Sequence, residues 1–182
     1  MGASTPIRRV VLLKGVNVGG RHKLPMAELR EMCTALGCLN VSTYIQSGNV
    51  VLDSELDADE LGRQLEAAFS DRVGFTPRIV TRQANDLVRV LANNPFPDAN
   101  DRFLHIGFMS GKPTASAVAA LADVDCAPEG FEIVGEDIYL HYADGVSQSK
   151  RLAKVPFERK LGVEITARNL RTVRKLVELS AA

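Results

Sequence analysis

The stretch LLKGVNVGGRHKLPMAELR, residues 12–30, changes character twice. It opens inside a β-branched, apolar run over residues 7–14, which predicts a buried strand. Three glycines then follow within residues 15–20, with basic side chains on both sides, and they predict a loop. Pro25 predicts the first turn of a helix over residues 25–36, which ends before Gly37. The chain therefore begins as strand, glycine-rich loop and helix.

The next segments complete a first half. Residues 41–46 and 49–53 flank the turn signal SGN and predict a hairpin. Residues 56–69 carry apolar side chains at four-residue spacing, which predicts a helix, and residues 76–81 predict a further strand. The order βαββαβ is that of a ferredoxin-like unit.

The pattern then starts again after a helix over residues 84–91 and the joint NNPFPDAN. We expect a strand at 102–109, a helix at 114–122, a hairpin from 131–134 and 138–142, a helix at 150–160 and a last helix at 167–179. The predicted fold class is α+β, with two pseudo-repeated ferredoxin-like (βαββαβ-type) halves plus a C-terminal helix. The expected domains are residues 1–82, a connection at 83–101, and residues 102–182.

Alternation along the strands predicts which side chains share a face. In the first half we expect Val10, Leu12, Val50 and Leu52 on one face, and Val11, Leu13 and Val51 on the other. In the second half we expect Leu104, Ile106, Phe108, Ile138, Leu140 and Tyr142 on one face, and Phe103, His105, Tyr139 and His141 on the other. We favour a contact between the halves for this mixed face, although its rings could stack nucleic-acid bases if they were exposed.

Composition excludes several classes of protein. No run approaches 18 apolar residues, so no membrane partner is expected. Three cysteines without CxxC spacing and three scattered histidines predict neither a disulfide framework nor a metal site, and a cytoplasmic location follows. The net charge is zero overall, but it is +5 over residues 1–24, −11 over 25–145 and +6 over 146–182. The two basic ends could form one basic surface if the fold joined them, or they could be solvated faces.

The glycine-rich loop is the first candidate site. Glycines let a ligand approach main-chain amides closely, and cations beside a helix N-terminus favour an anion. The expected ligand-binding residues here are Lys14, Gly15, Asn17, Gly19, Gly20 and Arg21. The loop matches neither GxGxxG nor GxxxxGK[ST], so no nucleotide fingerprint and no cofactor is indicated. Alternatively, the glycines only permit a tight path, with Asn17 bonding the local backbone.

Three other segments are candidates. QSGN, residues 46–49, is foremost a hairpin turn. SQSKR, residues 147–151, supplies Ser149 and Lys150 at an expected helix start, where free amides could donate to a phosphate, although an N-cap explains the serines equally well. ARN, residues 167–169, supplies Arg168 and Asn169, which could also be a solvated helix face.

Topology predicts which candidates meet. If the first and third strands of each half are parallel neighbours, the glycine-rich loop and QSGN lie at opposite ends of the first sheet. The same premise brings residues 110–112 close to residues 144–151. A single composite anion site would then require the glycine-rich loop beside the basic edge of the second half.

Several motifs together resemble a known family. LLKGVNVGG, KLPMAELR, YIQSGNVV, NPF, YLHYADG, SK and ARNLRTVRKL, in this order, are similar to the bacterial family called domain of unknown function 1697. The resemblance implies an α+β fold with two ferredoxin-like halves, and no activity, substrate or catalytic residue. The sequence departs from the family pattern at Lys14, where most members have arginine, and at Leu170 and Arg171, where they have Trp-Asn.

Three functions follow in order of preference. The first is binding of a phosphate-bearing small molecule or nucleotide by the loop and the basic edge. The second is binding of RNA or DNA, although no RNP1 pattern is present. The third is a phosphoryl-group enzyme, for which His22, His105 and His141 are the only histidines and no spacing pairs them with carboxylates.

Overall fold

A computed structural model describes residues 5–181 of the chain. The contacts divide these residues into two compact units, the first running to Val88 and resuming at Leu176, the second comprising Arg89–Lys175. The strands are Ile7–Lys14 (β1), Leu39–Tyr44 (β2), Asn49–Ser54 (β3), Arg78–Gln83 (β4), Leu104–Met109 (β5), Gly130–Val134 (β6), Asp137–His141 (β7) and Ile165–Asn169 (β8). The α-helices are Met26–Ala35 (α1), Ala58–Arg72 (α2), Ala84–Ala92 (α3), Ala115–Ala119 (α4), Phe157–Leu161 (α5) and Leu170–Ser180 (α6).

Each unit contains one four-stranded antiparallel sheet. The strand orders are β2-β3-β1-β4 and β6-β7-β5-β8, so the same βαββαβ arrangement occurs twice. This confirms the α+β fold of two ferredoxin-like halves followed by a C-terminal helix. The last turn of α6 belongs to the first unit, where the Leu179 carbonyl accepts a hydrogen bond of 3.0 Å from Arg8 Nη2.

Helices cover one face of the first sheet. Val11 and Leu13 on β1 pack with Val50 and Leu52 on β3, and the apolar faces of α1 and α2 close over them. In α2 the four-residue spacing of Leu61, Leu65 and Phe69 places all three side chains in this core, where they are fully buried. Asp57 begins the helix by accepting a bond from the Glu60 amide at 2.8 Å.

The core of the second unit is built in the same way. Ile138, Leu140 and Tyr142 pack against apolar side chains from α4 and α5. Of the described helices, none has the length and apolar character needed to cross a membrane.

The expected combinations of side chains on each sheet face are wrong, because neighbouring strands pair in a different register. Val10 pairs with Val51 and Val11 with Val50, so Val50 and Leu52 share a face with Val11 and Leu13. Alternation shows which residues of one strand share a face, but only the pairing register decides how two strands combine. In the second sheet Leu104, Ile106 and Phe108 are likewise opposite His141, Tyr139 and Asp137.

One predicted helix is wrong, and the last helix begins three residues later than expected. Residues 150–160 form a 3₁₀ turn, Leu152–Lys154, and then only the short α5, because Pro156 cannot donate to a continuing helix and restricts Val155 to extended backbone. The last helix does not begin at 167, because Ile165–Asn169 pairs with β5 as an edge strand.

Candidate functional site

Asn17 fixes the loop between β1 and α1. Its side-chain Nδ2 donates to the Leu24 carbonyl at 2.9 Å, and its Oδ1 accepts from the Leu24 amide at 2.8 Å. The Asn17 amide donates to the His22 carbonyl at 3.0 Å, and Val18 bridges Arg21. Residues 16–23 therefore form a short hairpin-like projection, which we call the finger.

The finger contacts the turn between β2 and β3. Asn17 Nδ2 also donates to the Gln46 carbonyl at 2.7 Å, and the Leu13 amide donates to the Gly48 carbonyl at 2.8 Å. The expectation that the glycine-rich loop and QSGN lie at opposite ends of the sheet is therefore wrong. Its premise fails because β1 and β3 are antiparallel, which brings the end of β1 to the start of β3.

The turn itself is the hairpin connection that the sequence predicts. Gly48 has φ +78°, and an added Cβ would lie 2.7 Å from Leu13 Cβ and from Val16 Cγ2. Only glycine allows this approach of the turn to β1. Ile45 is half exposed and has φ +50°, which is unusual for a β-branched residue. Asn49 stabilises the turn through its side-chain Nδ2, which donates to the Tyr44 carbonyl and to Ser47 Oγ, both at 2.9 Å.

The finger tip is open to solvent. Gly19 and Gly20 have φ +57° and +75°, and a Cβ on either would meet nothing within 4 Å. These glycines, with Gly15 at φ +78°, serve the backbone conformation and not a close packing contact. Among residues 5–181, the amides of Gly19 and Gly20 have no hydrogen-bond partner. Two adjacent main-chain donors are thus available to a ligand.

Positive charge surrounds the finger. Arg21 and Lys23 are exposed, and neither makes an ion pair with another described residue. At the base, Lys14 on β1 lies directly opposite Arg78 on β4. His22 stacks on Phe75 with ring centroids 4.6 Å apart, and its Nδ1 lies 3.0 Å from the Gly15 carbonyl.

In the second unit, the candidate anion position around Ser149 is occupied by a carboxylate of the protein. Glu129 Oε2 accepts from Ser149 Oγ at 2.9 Å, from the Leu152 amide at 3.0 Å and from the Arg151 amide at 3.4 Å. Burial by itself would raise the pKa of Glu129, but these bonds outweigh it and lower the pKa. Ser149 also accepts from the Ala153 amide at 2.9 Å, so the serine is an internal organiser of this loop.

Lys150 lies beside this carboxylate cluster. It is exposed and lines a cavity of about 320 Å³, together with Gln148, Arg151, Asp144 and Glu129. Arg151 Nη1 binds Asp125 Oδ2 at 2.9 Å. The cavity therefore combines two cations with two carboxylates, and its charge is balanced.

Arg168 and Asn169 lie on the opposite edge of the same sheet. They belong to β8, whereas Ser149 binds the residue that precedes β6, and three strand spacings, roughly 14 Å, separate these two edges. Asn169 Oδ1 accepts from the Thr172 amide at 2.9 Å and so caps α6. Burial lowers the pKa of Arg168 to about 10. The composite site across both units stays a prediction.

The expected closeness of residues 110–112 to residues 144–151 is wrong for the same reason as above. The Met109 amide donates to the Glu136 carbonyl at 3.0 Å, so the loop after β5 adjoins the β6–β7 turn. Residues 144–151 follow β7, whose His141 pairs with Leu104 at the start of β5. The two segments lie at opposite ends of the sheet, roughly 17 Å apart along β5.

The four rings expected on one face are divided between two. Tyr139 and His141 lie opposite Ile106 and Leu104, whereas His105 lies on the other face and packs edge-on against Tyr142 at 5.3 Å. Tyr139 is fully buried, and its hydroxyl donates to the Val90 carbonyl at 2.9 Å. These rings do not form one stacking surface for bases. Among residues 5–181, no three His, Cys, Asp or Glu side chains are placed to hold a metal ion.

Two features of the first unit are not visible in the local sequence. The joint role of Asn17 and Gly48 in fixing the finger to the β2–β3 turn depends on the antiparallel β1–β3 pairing. Arg78 was not recognised because it is 64 residues from Lys14 in sequence, and only the β1–β4 register brings them together.

Comparisons with known proteins agree with this architecture. The conserved bacterial protein SP0830 from Streptococcus pneumoniae has a similar structure, with a TM-score of 0.76 and 27% sequence identity, over 96% of this chain and 99% of that one. No curated protein matches the sequence. Residues 7–139 match the family described as "Protein of unknown function (DUF1697)". Since this match covers most of the chain, the protein belongs to the DUF1697 family.

Proposed function

We propose that the finger binds a phosphate-bearing small molecule. Three properties support this: Gly19 and Gly20 offer adjacent amide donors, Arg21 and Lys23 offer cations without a carboxylate partner among the described residues, and Asn17 holds the segment in one conformation. Main-chain amides together with cations are the donors that phosphate groups take in proteins. A segment fixed before binding also loses less conformational entropy when a ligand arrives.

The contrast between the two basic segments carries the proposal. Around Ser149, the hydroxyl and the amides of Arg151 and Leu152 already hold the Glu129 carboxylate. That loop shows how this chain arranges donors around an anion when it supplies the anion itself. The finger has donors and cations of the same kinds, and no carboxylate of the described chain accepts from Gly19 or Gly20. We infer that its anion comes from outside the protein.

A small ligand is preferred to a nucleic acid. The protein has no net charge, and a tight, sequence-independent nucleic-acid binder needs many cations along an extended surface. The rings that could have stacked bases lie on two faces of the second sheet. The finger instead offers a compact group of donors that matches a single phosphate.

The proposal is tested by thermal unfolding of the full chain with inorganic phosphate, ribose 5-phosphate, AMP and a short RNA, at low and moderate salt. A small ligand at about a hundred times its Kd adds about 2.7 kcal/mol to the free energy of unfolding. For a chain of this size, that raises Tm by roughly 5–10 °C. We expect such a shift with at least one phosphate-bearing small molecule.

Two matched double variants distinguish a site from general attraction. Arg21→Gln with Lys23→Gln removes two exposed cations from the finger, whereas Arg159→Gln with Lys160→Gln removes two exposed cations from α5. Only the first should abolish the Tm shift. An equal loss of the Tm shift in both variants would show general electrostatic attraction. A Tm shift with RNA alone would favour a nucleic-acid partner. No Tm shift with any probe would leave the finger a purely structural loop.

A further inference from the structure

A groove runs along the free edge of the second sheet. Strand β6 is an edge strand, and between it and the segment from α4 to Ala127 lies a cavity of about 520 Å³. Small and apolar side chains line most of it, including Ala119, Ala122 and Phe131. A helix beside an exposed strand edge is an arrangement that peptide-binding domains use when they add a strand to a sheet.

The strand edge still has unpaired backbone groups. Val134 and Asp137 close a two-residue hairpin, and the closing pair of such a hairpin exchanges both of its hydrogen bonds. Bonding then alternates along β6, so the N–H and C=O groups of Phe131 and Ile133 point away from β7. Neither residue has another hydrogen bond among residues 5–181. Two donors and two acceptors are therefore directed toward the free edge of the sheet.

The charged side chains that line the groove are all acidic. Its lining includes Asp125, Glu129 and Glu132, and no lysine or arginine. Arg151 at the rim forms an ion pair with Asp125. Glu132 is exposed on β6 and makes no ion pair with a described residue. A basic segment complements this surface, and an acidic one is repelled.

We propose that this edge binds an extended, basic peptide of a partner protein, which adds to β6 as a fifth strand. The backbone of the peptide pairs with Phe131 and Ile133, its small apolar side chains occupy the groove, and its cations face the carboxylates. This interaction is independent of the phosphate site on the finger, which lies in the other unit.

A second copy of the chain fits this edge less well than a basic peptide. Antiparallel pairing of two β6 strands that joins Phe131 of one copy to Ile133 of the other places the two Glu132 side chains directly opposite each other. Like charges in that position destabilise the pair.

The test uses the full chain, labelled for NMR, and three hexapeptides: acetylated, amidated (Lys-Val)₃, its (Glu-Val)₃ counterpart, and (Lys-Val)₃ N-methylated at alternate residues. At saturation with the basic peptide, hydrogen exchange of the Phe131 and Ile133 amides should slow by about tenfold or more, while that of Glu132, already bonded to β7, changes little. The acidic peptide should bind about tenfold more weakly at low salt. The N-methylated peptide should give no protection, because it cannot complete the ladder.

Glu132→Lys supplies the matched variant, since this exposed side chain makes no hydrogen bond or ion pair among the described residues. It should weaken the basic peptide and strengthen the acidic one. The proposal is overturned if the basic peptide leaves these amides unprotected at millimolar concentration, or if the N-methylated peptide binds equally well. It is also overturned if protection of Phe131 and Ile133 rises with protein concentration alone, which would identify a second copy as the occupant.

Discussion

Replacement of Asn17 by alanine should destabilise the first unit by about 3 kcal/mol. The change removes three side-chain hydrogen bonds, two to the Leu24 backbone and one to the Gln46 carbonyl. The bonds to the buried Leu24 contribute about 1 kcal/mol each, and the exposed bond to Gln46 contributes less. Asn17 has φ +53°, and alanine pays about 1 kcal/mol more than asparagine in this left-handed region.

Asn40→Ala is the matched control. Asn40 has φ +49°, but its side chain makes a single exposed bond, to Asp53 Oδ2 at 2.6 Å. The backbone cost is therefore shared by the two variants, and their difference of about 1–2 kcal/mol measures the bonds that fix the finger. Urea unfolding gives both free energies, and amide exchange at Leu24 reports local opening. Equal stabilities of the two variants, with unchanged exchange at Leu24, would refute the role assigned to Asn17.

Three further predictions concern other contacts. Gly48→Ala should lower the free energy of unfolding by about 3 kcal/mol, because at φ +78° its Cβ would lie 2.7 Å from Leu13 Cβ. Gly19→Ala, which has open space around the added Cβ, should lower it by only about 1 kcal/mol, and thermal unfolding compares the two variants. Glu129 has a lowered pKa, so its stabilisation is present above the unfolded pKa and is lost as pH falls through the folded pKa. The free energy of unfolding of Glu129→Gln should consequently fall less than that of the wild type between pH 6 and about pH 3, and parallel pH profiles in urea would contradict this. Tyr139→Phe should lower the free energy of unfolding by about 1 kcal/mol, because the buried Val90 carbonyl loses its hydroxyl donor. An unchanged midpoint of urea unfolding would contradict the contribution of that hydrogen bond.

The order of the elements could be predicted from local sequence, because turn residues and apolar periodicity are local signals. The strand Ile7–Lys14 has the bounds that its apolar run predicts, and α1 begins one residue after Pro25, which was expected in its first turn. Strand β8 was missed because ITARN has only five residues and continues directly into the amphipathic α6, so the whole segment was assigned to one helix. Its position is determined by pairing with β5, which is distant in sequence.

The candidate site was harder to predict than the fold. The sequence identified Gly15, Gly19, Gly20 and Arg21 as a loop with donors and charge, but not its neighbours in space. Because β1 and β3 are antiparallel, Asn17 reaches Gln46. The assumption that these strands are parallel wrongly placed the glycine-rich loop and QSGN at opposite ends of the sheet. Ser149 carried an ambiguous signal, because a hydroxyl before free amides serves an external phosphate and an internal glutamate equally well.

The most direct test of the proposed phosphate site is a titration of the full chain with inorganic phosphate, followed through amide chemical shifts at low salt. A phosphate site on the finger predicts saturable shifts at Gly19 and Gly20 with one common Kd, lost in Arg21→Gln with Lys23→Gln and retained in Arg159→Gln with Lys160→Gln. Shifts that grow linearly with phosphate, or that spread evenly over every exposed cation of the protein, would contradict a phosphate site on the finger.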